Sequence, residues 1–203
     1  MNRNIGVLIS GRGSNLQAIL DATRDGRLNA RIAIVISNRA DACGLRRAQE
    51  AGIETLVRDH KTYPSREAFE QVLVDDLRSR QVSLVWLAGF MRLLGATFVD
   101  AFPNAIINIH PALLPAFPGL HAQRQALEHG ARISGATVHF VDTNLDAGPI
   151  VMQAAVPVLD ADTEDTLSAR ILEQEHRIYP EAIQRILDGG WTLQGRRVVF
   201  GRQ

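Results

Sequence analysis

Apolar positions in the first half of the chain follow two different periods. The runs IGVLI at 5–9 and ARIAIVIS at 30–37 are short and rich in branched side chains, which is typical of buried parallel strands. The stretch SREAFEQVLVDDLRSR at 65–80 instead has a helical period, with Ser65 where an N-cap is expected. Strands that alternate with helices predict right-handed βαβ units and a parallel sheet covered on both faces.

Apolar positions in the second half of the chain also predict strands and helices. They indicate further strands, a terminal hairpin around Gly195 and a long helix that Pro180 interrupts. The predicted strands lie at 82–88, 105–110, 136–141 and 149–158, and the last two are free to run antiparallel to the rest of the sheet. The fold class is therefore α/β, a doubly wound, mostly parallel twisted sheet flanked by helices. We expect one domain over 1–203, with an N-terminal half of about 1–100 and a C-terminal half of about 101–190.

Three polar segments follow three of the predicted strands. SGRGSN begins at Ser10, GFMR begins at Gly89, and NIHP begins at Asn108. Ligands of open α/β sheets bind beyond the carboxyl ends of the strands. The sequence therefore predicts that these segments surround a binding site.

The first segment is a glycine loop between a strand and a helix. Gly11 and Gly13 allow a tight turn, and the N-terminus of the following helix favours an anion. A dinucleotide fingerprint would have a third glycine at Leu16 and an acid where Ser37 and Asn38 stand. The loop therefore favours a single phosphate over NAD or ATP, and a plain βα turn is the alternative.

The third segment carries the candidate chemistry. Asn108 and His110 are two residues apart at the end of a strand, so they face the same side. Asp146, in a loop rich in glycine and proline, could fold back over that edge and favour the protonated imidazole. The alternatives are a structural histidine and an ordinary turn aspartate. His139, in TVHFV, is interpreted as a structural histidine.

Covalent and metal catalysis find little support. No G-x-S-x-G motif occurs, and Cys43 is far from NIHP in sequence. No H-x-x-x-H or H-E-x-x-H spacing occurs either, so no metal is expected. Direct transfer between two bound small molecules fits the residues better.

Composition narrows the possible partners. Lysine plus arginine (22) equals aspartate plus glutamate (22), so the overall basic excess of a nucleic-acid-binding protein is missing. A single cysteine rules out an internal disulfide and suits the cytosol. The first apolar run is too short for a signal peptide or membrane span. We expect a cytoplasmic protein without nucleic-acid or membrane partners, and the sequence is compatible with a homodimer.

Taken together, the motifs resemble those of a known family. ISGRGSNLQAIL, LAGFMRLL, NIHPALLPAFPGLHAQRQAL, GATVHFV, LDAGPI and QEHRIYP occur in this order over about 5–190. They resemble the phosphoribosylglycinamide (glycinamide ribonucleotide) formyltransferases, folate-dependent enzymes of purine synthesis with a Rossmann-like formyltransferase fold. This chain differs at Ala147 and Gln123, which puts in doubt only loop flexibility and contacts near the phosphate.

The resemblance implies roles for particular residues. Asn108, His110 and Asp146 would act on the formyl group of the cosubstrate 10-formyltetrahydrofolate. The N-terminal half would bind the phosphate, and the C-terminal half would bind folate and carry the catalysis. The residues implied to bind glycinamide ribonucleotide are Gly13, Ser14, Asn15, Leu16, Gln17 and Glu175. Those implied to bind folate are Arg66, Met91, Arg92, Leu93, Leu94, Asn108 and Asp142, the last within a loop at 142–146.

Three other functions remain as alternatives: a formyltetrahydrofolate hydrolase, a nucleotide-sugar formyltransferase and a regulatory module. A formyltetrahydrofolate hydrolase would carry an extra N-terminal domain, and a methionyl-tRNA formyltransferase would carry a C-terminal tRNA-binding domain and a basic surface. A nucleotide-sugar formyltransferase could use the same three residues. Outside enzymes, a regulatory module could bind a phosphate ligand without chemistry.

The dense prolines after His110 also suggest a cis bond between Leu114 and Pro115.

Overall fold

The structure, a computed structural model, describes residues 2–201. The chain groups into two compact units, the first ending at Asn108 and the second beginning at Ile109. The boundary falls inside the strand Ile106–His110.

The first unit alternates strands and helices as predicted. Its strands pair in parallel in the order β3-β2-β1-β4-β5. The elements are β1 Asn4–Ile9, α1 Ser14–Arg24, β2 Arg31–Ser37, α2 Cys43–Glu50, β3 Thr55–Val57, α3 Arg66–Ser79, β4 Leu84–Leu87, α4 Ala96–Val99 and β5 Ile106–His110. The apolar runs become strands because both of their faces are covered: Val7, Leu8, Ile34 and Val85 have no exposed surface.

The order of the strands places the polar segments. The chain builds outward from β1 to β3 on one side of the sheet, and then adds β4 and β5 on the other side of β1. The switch in direction therefore lies between β1 and β4, and ligands of such sheets bind beside it. The glycine loop follows β1 and the segment from Gly89 follows β4.

The predicted N-cap of α3 is confirmed. The Ser65 hydroxyl accepts a hydrogen bond from the Ala68 amide at 3.1 Å. This bond satisfies one of the amides that a helix leaves without a partner in its first turn. Arg66 is consequently fixed at the first helical position.

The second unit is built around an antiparallel hairpin. Its strand order is β5-β6-β7-β9-β8, and β6 and β7 pair antiparallel to each other. The elements after β5 are α5 Ala122–Glu128, β6 Ile133–Phe140, β7 Ile150–Pro157, α6 Glu164–Asp188, β8 Trp191–Gln194 and β9 Arg197–Phe200. The predicted terminal hairpin around Gly195 is confirmed by the antiparallel pairing of β8 with β9.

The predicted interruption at Pro180 is wrong. Helix α6 runs through Pro180 without a break. Its N-terminus is capped by reciprocal hydrogen bonds between Thr163 and Thr166. A proline inside a helix costs about 3 kcal/mol. The apolar face of α6 packs on β6 and β7, and Ile178, Tyr179 and Pro180 itself are all buried there. This burial on both sides of the proline outweighs the lost backbone hydrogen bond.

No helix within residues 2–201 is long and apolar enough to cross a membrane. The predicted cis bond between Leu114 and Pro115 is present.

Candidate active site

The second unit contains a buried pair of ionisable side chains. His110 ends β5 and is 4 % exposed, and its Nδ1 lies 3.3 Å from Oδ2 of Asp146. The Asp146 side chain is 10 % exposed. The structure thus brings together two of the three residues predicted to be catalytic, 36 positions apart in the sequence.

The other ring nitrogen of His110 also faces an acceptor. Its Nε2 lies 2.8 Å from the carbonyl oxygen of Phe117, which can only accept a hydrogen bond, so Nε2 must donate. A neutral imidazole has a single N–H and would turn a lone pair towards the Asp146 carboxylate. Both ring nitrogens of His110 therefore face acceptors, and the protonation of the ring by Asp146 remains a prediction.

The backbone of the Asp146 loop is shaped to present this carboxylate. Asp146 has a φ of 48°, a left-handed conformation that aspartate tolerates better than most residues. Its Oδ2 accepts a hydrogen bond from the Gly119 amide at 2.8 Å. Two residues later a Cβ at Gly148 would collide with the Phe140 carbonyl oxygen, so only glycine allows this close approach of the loop to β6. The glycine in LDAGPI thus fixes where Asp146 lies.

A second histidine belongs to the same cluster. His139 is 2 % exposed, and its Nε2 lies 3.7 Å from Oδ1 of Asp146. Its Nδ1 donates to the Phe140 carbonyl oxygen at 2.9 Å. Burial lowers the pKa of His139, against the opposing effects of that carbonyl and of Asp146, so this ring is neutral near pH 7. The interpretation of His139 as a purely structural histidine overlooked its contact with Asp146.

A signal for this contact was present in the sequence. His139 is next to the last residue of β6, and Asp146 lies in the loop that returns to β7. A hairpin loop lies close to the end of the strand that precedes it. Recognising 136–158 as a hairpin would therefore have placed the two side chains together.

Asn108 lies on β5, two residues before His110, and pairs with Leu87 of β4. Side chains two apart on a strand share a face, so Asn108 and His110 project to the same side of β5. Asn108 is half-buried. Its role at the site remains a prediction.

The segment after His110 is held by side chains of the hairpin. The Thr137 hydroxyl donates to the Ala112 carbonyl at 2.7 Å and accepts from the Leu114 amide at 3.0 Å. The Gln153 amide donates to the Leu114 carbonyl at 2.9 Å. The roles of Thr137 and Gln153 were not predicted from the sequence, because nothing local to either residue indicates which loop it will contact.

In the first unit, the glycine loop has a defined conformation. Gly13 has a φ of 73°, and a Cβ there would lie 2.6 Å from the Cα of Gly44. The Gly44 amide donates to the Gly11 carbonyl at 3.1 Å, and Arg47 donates to the Arg12 carbonyl at 3.1 Å. Helix α2 therefore holds the loop, and α1 begins directly after it with the N-terminal amides that suit an anion.

The predicted phosphate-binding residues occupy the start of α1. Leu16 has no exposed surface, so it could contact a ligand only through its backbone. Gln17 bonds Arg47 at 3.1 Å and Asp21 at 3.1 Å, so its side chain already has partners in the protein. Leu16 and Gln17 would thus contact a phosphate mainly through their backbone amides.

The predicted folate-binding residues of the first unit form a second group. Arg66 is half-exposed and donates through Nε to Glu70 at 2.9 Å. Met91 and Leu93 are 65 % and 64 % exposed, which is unusual for apolar side chains of their size, and Arg92 is exposed as well. Leu94, in contrast, is 6 % exposed and belongs to the core.

The two remaining predicted residues lie in the second unit. Asp142 begins the loop that carries Asp146, and its Oδ1 accepts from the Asn144 amide at 2.8 Å. Glu175 lies on α6 and is 6 % exposed. Across residues 2–201 no group of three or more histidine, cysteine, aspartate or glutamate side chains is arranged so that it could hold a metal ion.

Comparison with known proteins decides the family. The family model described as formyl transferase matches residues 3–183. The chain belongs to the formyl transferase family. This membership confirms the resemblance predicted from the motifs.

Relatives within the formyl transferase family are similar over most of this chain. Phosphoribosylglycinamide formyltransferase from Escherichia coli is 48 % identical over 186 residues, which are 92 % of this chain and 88 % of the relative. The trifunctional purine biosynthetic protein adenosine-3 of Drosophila melanogaster is 50 % identical over 189 residues, and the chain spans only 14 % of that longer protein.

Solved formyl transferase structures confirm the predicted fold class. Glycinamide ribonucleotide transformylase 1 from Symbiobacterium toebii superposes with a TM-score of 0.96 at 58 % identity, covering 98 % of this chain and 94 % of that one. The mostly parallel, helix-flanked sheet is therefore the architecture of this family.

Proposed function

We propose that the protein transfers the formyl group of 10-formyltetrahydrofolate to the amine of glycinamide ribonucleotide, a step of purine biosynthesis. Family membership and the Escherichia coli relative, matched over 88 % of its length, support the reaction. The observation that carries the chemistry is the buried His110–Asp146 pair, with 3.3 Å between Nδ1 and Oδ2. Such a pair keeps a cationic hydrogen-bond donor available where negative charge develops.

The reaction proceeds by direct attack. The substrate amine, neutral in useful fraction because α-amino groups have a pKa of about 7.7–8.0, adds to the formyl carbon to give a tetrahedral intermediate. The Asn108 amide and the protonated His110 ring donate to its oxyanion, each worth roughly 2.7–4 kcal/mol when well placed. In this step the His110 Nε2–H, which donates to the Phe117 carbonyl in the structure, changes its acceptor to the oxyanion.

Asp146 has two functions in this mechanism. Its carboxylate keeps His110 protonated, and it orders a water that carries the proton from the attacking amine to the leaving folate nitrogen. The Gly119 amide, 2.8 Å from Oδ2, holds the carboxylate in place for both. Holding the reactants at contact distance supplies the remainder of the rate enhancement.

Apart from Asn108, the residues that bind the substrates differ from those that act in the transfer. The loop of Gly13, Ser14 and Asn15 binds the phosphate of glycinamide ribonucleotide through backbone amides, with Leu16 and Gln17 in the first turn of α1. Glu175 contacts the same substrate. The folate is bound by Asn108, Arg66 and Asp142 and by the segment 91–94. The exposed Met91 and Leu93 and the half-exposed Arg66 suit a ligand with both a flat apolar ring system and carboxylates.

Incubating the protein with 10-formyltetrahydrofolate and glycinamide ribonucleotide tests the proposal. We expect deformylated folate and formylated ribonucleotide in equal amounts. Deformylated folate without a formylated amine would indicate a hydrolase instead. Activity with a nucleotide-sugar amine only would indicate the related sugar formyltransferase, and ligand binding without turnover would indicate a regulatory module.

We also propose that the protein acts in the cytoplasm on small molecules, without a nucleic-acid or membrane partner. Its balanced charge supports this. Light scattering coupled to size-exclusion chromatography distinguishes a homodimer from a monomer.

A further inference from the structure

Helix α3 of the first unit carries a carboxylate that is buried almost completely. The Glu70 side chain is 2 % exposed, whereas the Arg66 side chain one turn earlier is 50 % exposed. A buried carboxylate is stable only when it is paired and hydrogen-bonded. Glu70 meets this condition with one oxygen: Oε1 accepts from Nε of Arg66 at 2.9 Å and from the Gly95 amide at 2.6 Å.

The Arg66 guanidinium is confined from a second side. A Cβ at Gly95 would collide with Nη2 of Arg66, so the guanidinium lies directly against the Gly95 backbone. Glu70 therefore fixes both the arginine and the glycine that it lies against. Since Nε is used by Glu70, the two terminal nitrogens carry the other four N–H donors. Within residues 2–201 these two nitrogens have no hydrogen-bond partner.

Gly95 is the last residue of the segment 91–95, and the start of this segment is held in a similar way. The Met91 amide donates to the Ser10 hydroxyl at 2.8 Å, and that hydroxyl donates to Oδ1 of Asn38 at 2.6 Å. Segment 91–95 is thus held at each end by a buried side-chain oxygen, while Met91 and Leu93 remain exposed. An exposed apolar segment held at both ends is a prearranged binding surface.

We propose that Glu70 is a positioning residue for folate binding. It aligns Arg66 and the 91–95 segment before the ligand binds. The terminal N–H groups of Arg66 are then already oriented to donate to a carboxylate or carbonyl of the folate. Glu70 itself does not touch the ligand. This inference rests on the proposed function, because it takes Arg66 as a folate-binding residue.

The test is a double-mutant cycle of Glu70→Gln and Arg66→Ala. The glutamine keeps an oxygen for the Gly95 amide but loses the charge that orients Arg66. We expect E70Q to raise KM for 10-formyltetrahydrofolate by about tenfold, the factor that corresponds to about 1.4 kcal/mol, with kcat and KM for glycinamide ribonucleotide unchanged. In the R66A background the same substitution should change the folate KM little, because the side chain that it orients is gone.

The matched control is Asp75→Asn on the same helix. Asp75 is exposed and bonds only Gln71 among the described contacts, at 2.9 Å. D75N also removes one negative charge, and we expect it to leave the folate KM unchanged. Calorimetric titration of tetrahydrofolate into wild type, E70Q, R66A and the double variant measures the same cycle as binding affinities, without turnover.

The outcomes separate the inference from the proposed function. If wild type transfers formyl groups and R66A raises the folate KM, but E70Q raises it equally with and without Arg66, then Glu70 has a merely structural role and the inference is wrong. If R66A leaves both folate KM and tetrahydrofolate affinity unchanged, the assignment of Arg66 fails and the inference fails with it. A wild type that binds tetrahydrofolate through Arg66 without transfer contradicts only the proposed function.

Should E70Q prove too unstable to purify, Glu70→Asp is the second variant. It keeps the charge but withdraws it by one methylene from Arg66 and Gly95. The expected result is a smaller rise in folate KM with kcat unchanged. Loss of kcat without a change in folate KM would overturn the inference.

Discussion

The glycine loop of the first unit and the histidine cluster of the second unit carry different kinds of polar groups. The loop presents backbone amides, and its shape depends on Gly13 having a φ of 73° against Gly44. The cluster presents ionisable side chains, His110, His139 and Asp146, that are nearly excluded from water.

This difference suits the two regions to different functions. Backbone amides cannot change their charge, so the loop is suited to binding an anion that stays the same throughout a reaction. Buried imidazoles and carboxylates can exchange protons, and the low dielectric around them strengthens their effect on a developing charge. Substitutions in the loop should therefore change binding and stability, whereas substitutions in the cluster should change turnover and pH dependence.

The largest effect is expected for Asp146→Asn. The amide tolerates the left-handed backbone at this position but removes the negative charge beside His110. We expect kcat to fall by about 10²–10³-fold, the loss typical of an oxyanion donor, while KM for glycinamide ribonucleotide stays within about twofold. Steady-state kinetics measures both constants. The exposed Thr143 in the same loop offers a control, T143A, and near-normal turnover in D146N would contradict the assignment.

The second prediction concerns the backbone of the glycine loop. In Gly13→Ala the methyl group would meet Gly44, and alanine disfavours a φ of 73°. We expect the free energy of unfolding to fall by about 1–3 kcal/mol and KM for glycinamide ribonucleotide to rise, with a smaller change in kcat.

Gly11→Ala is the stability control for that loop, because a Cβ at Gly11 meets no atom within 4 Å and its φ is not in the left-handed region. Urea unfolding of both variants measures the difference. Equal stability of G11A and G13A would show that the conformation of Gly13 is not the constraint.

Arg66→Ala is expected to have a smaller effect, because the side chain is half-exposed. Losing its hydrogen bonds to the ligand should raise KM for 10-formyltetrahydrofolate by about tenfold, with kcat little changed. Arg78 lies on the same helix, is exposed, and donates to the Ala101 carbonyl at 3.2 Å, which makes R78A the matched control. A fall in kcat as large as that of D146N would contradict the division between binding and catalysis.

The smallest effect concerns His139 and pH. Burial lowers its pKa from the usual 6.5, so below pH 6.5 the unfolded chain takes up a proton that the folded protein does not. The free energy of unfolding therefore falls as the pH falls through this range, by at most about 1.4 kcal/mol per pH unit for one proton. In His139→Asn this contribution is absent, so the variant should lose less stability on acidification. Parallel pH dependences of wild type and variant, measured by urea unfolding, would show that His139 does not contribute.

Much of the fold could be predicted because it is encoded locally. Periodicity identified the strands and helices of the first unit, and Ser65 identified the start of α3. The path of α6 through Pro180 could not be predicted, since the cost of the proline is local but the compensating burial comes from β6 and β7, which are distant in sequence.

The candidate site shows the same limit. The spacing of Asn108 and His110 and the turn residues around Asp146 indicated where polar groups leave the sheet. The contact of His139 with Asp146 depends on the hairpin return, and the burial of Glu70 depends on the Gly95 backbone. An amphipathic pattern shows which face of a helix is buried, but it does not show which polar group on that face will find a partner.

The sequence by itself determined the order of the elements and the family, and it predicted the edge of the sheet where the chemistry lies. These follow from the spacing of apolar residues and from short motifs, which act over a few neighbouring positions. Only the tertiary structure decided how deeply these ionisable groups are buried and which further partners they have: Asp146 also contacts His139 in one unit, and Glu70 contacts Arg66 and Gly95 in the other. The reason is that the free energy of a buried charge depends on atoms within a few ångströms of it, whatever their separation along the chain.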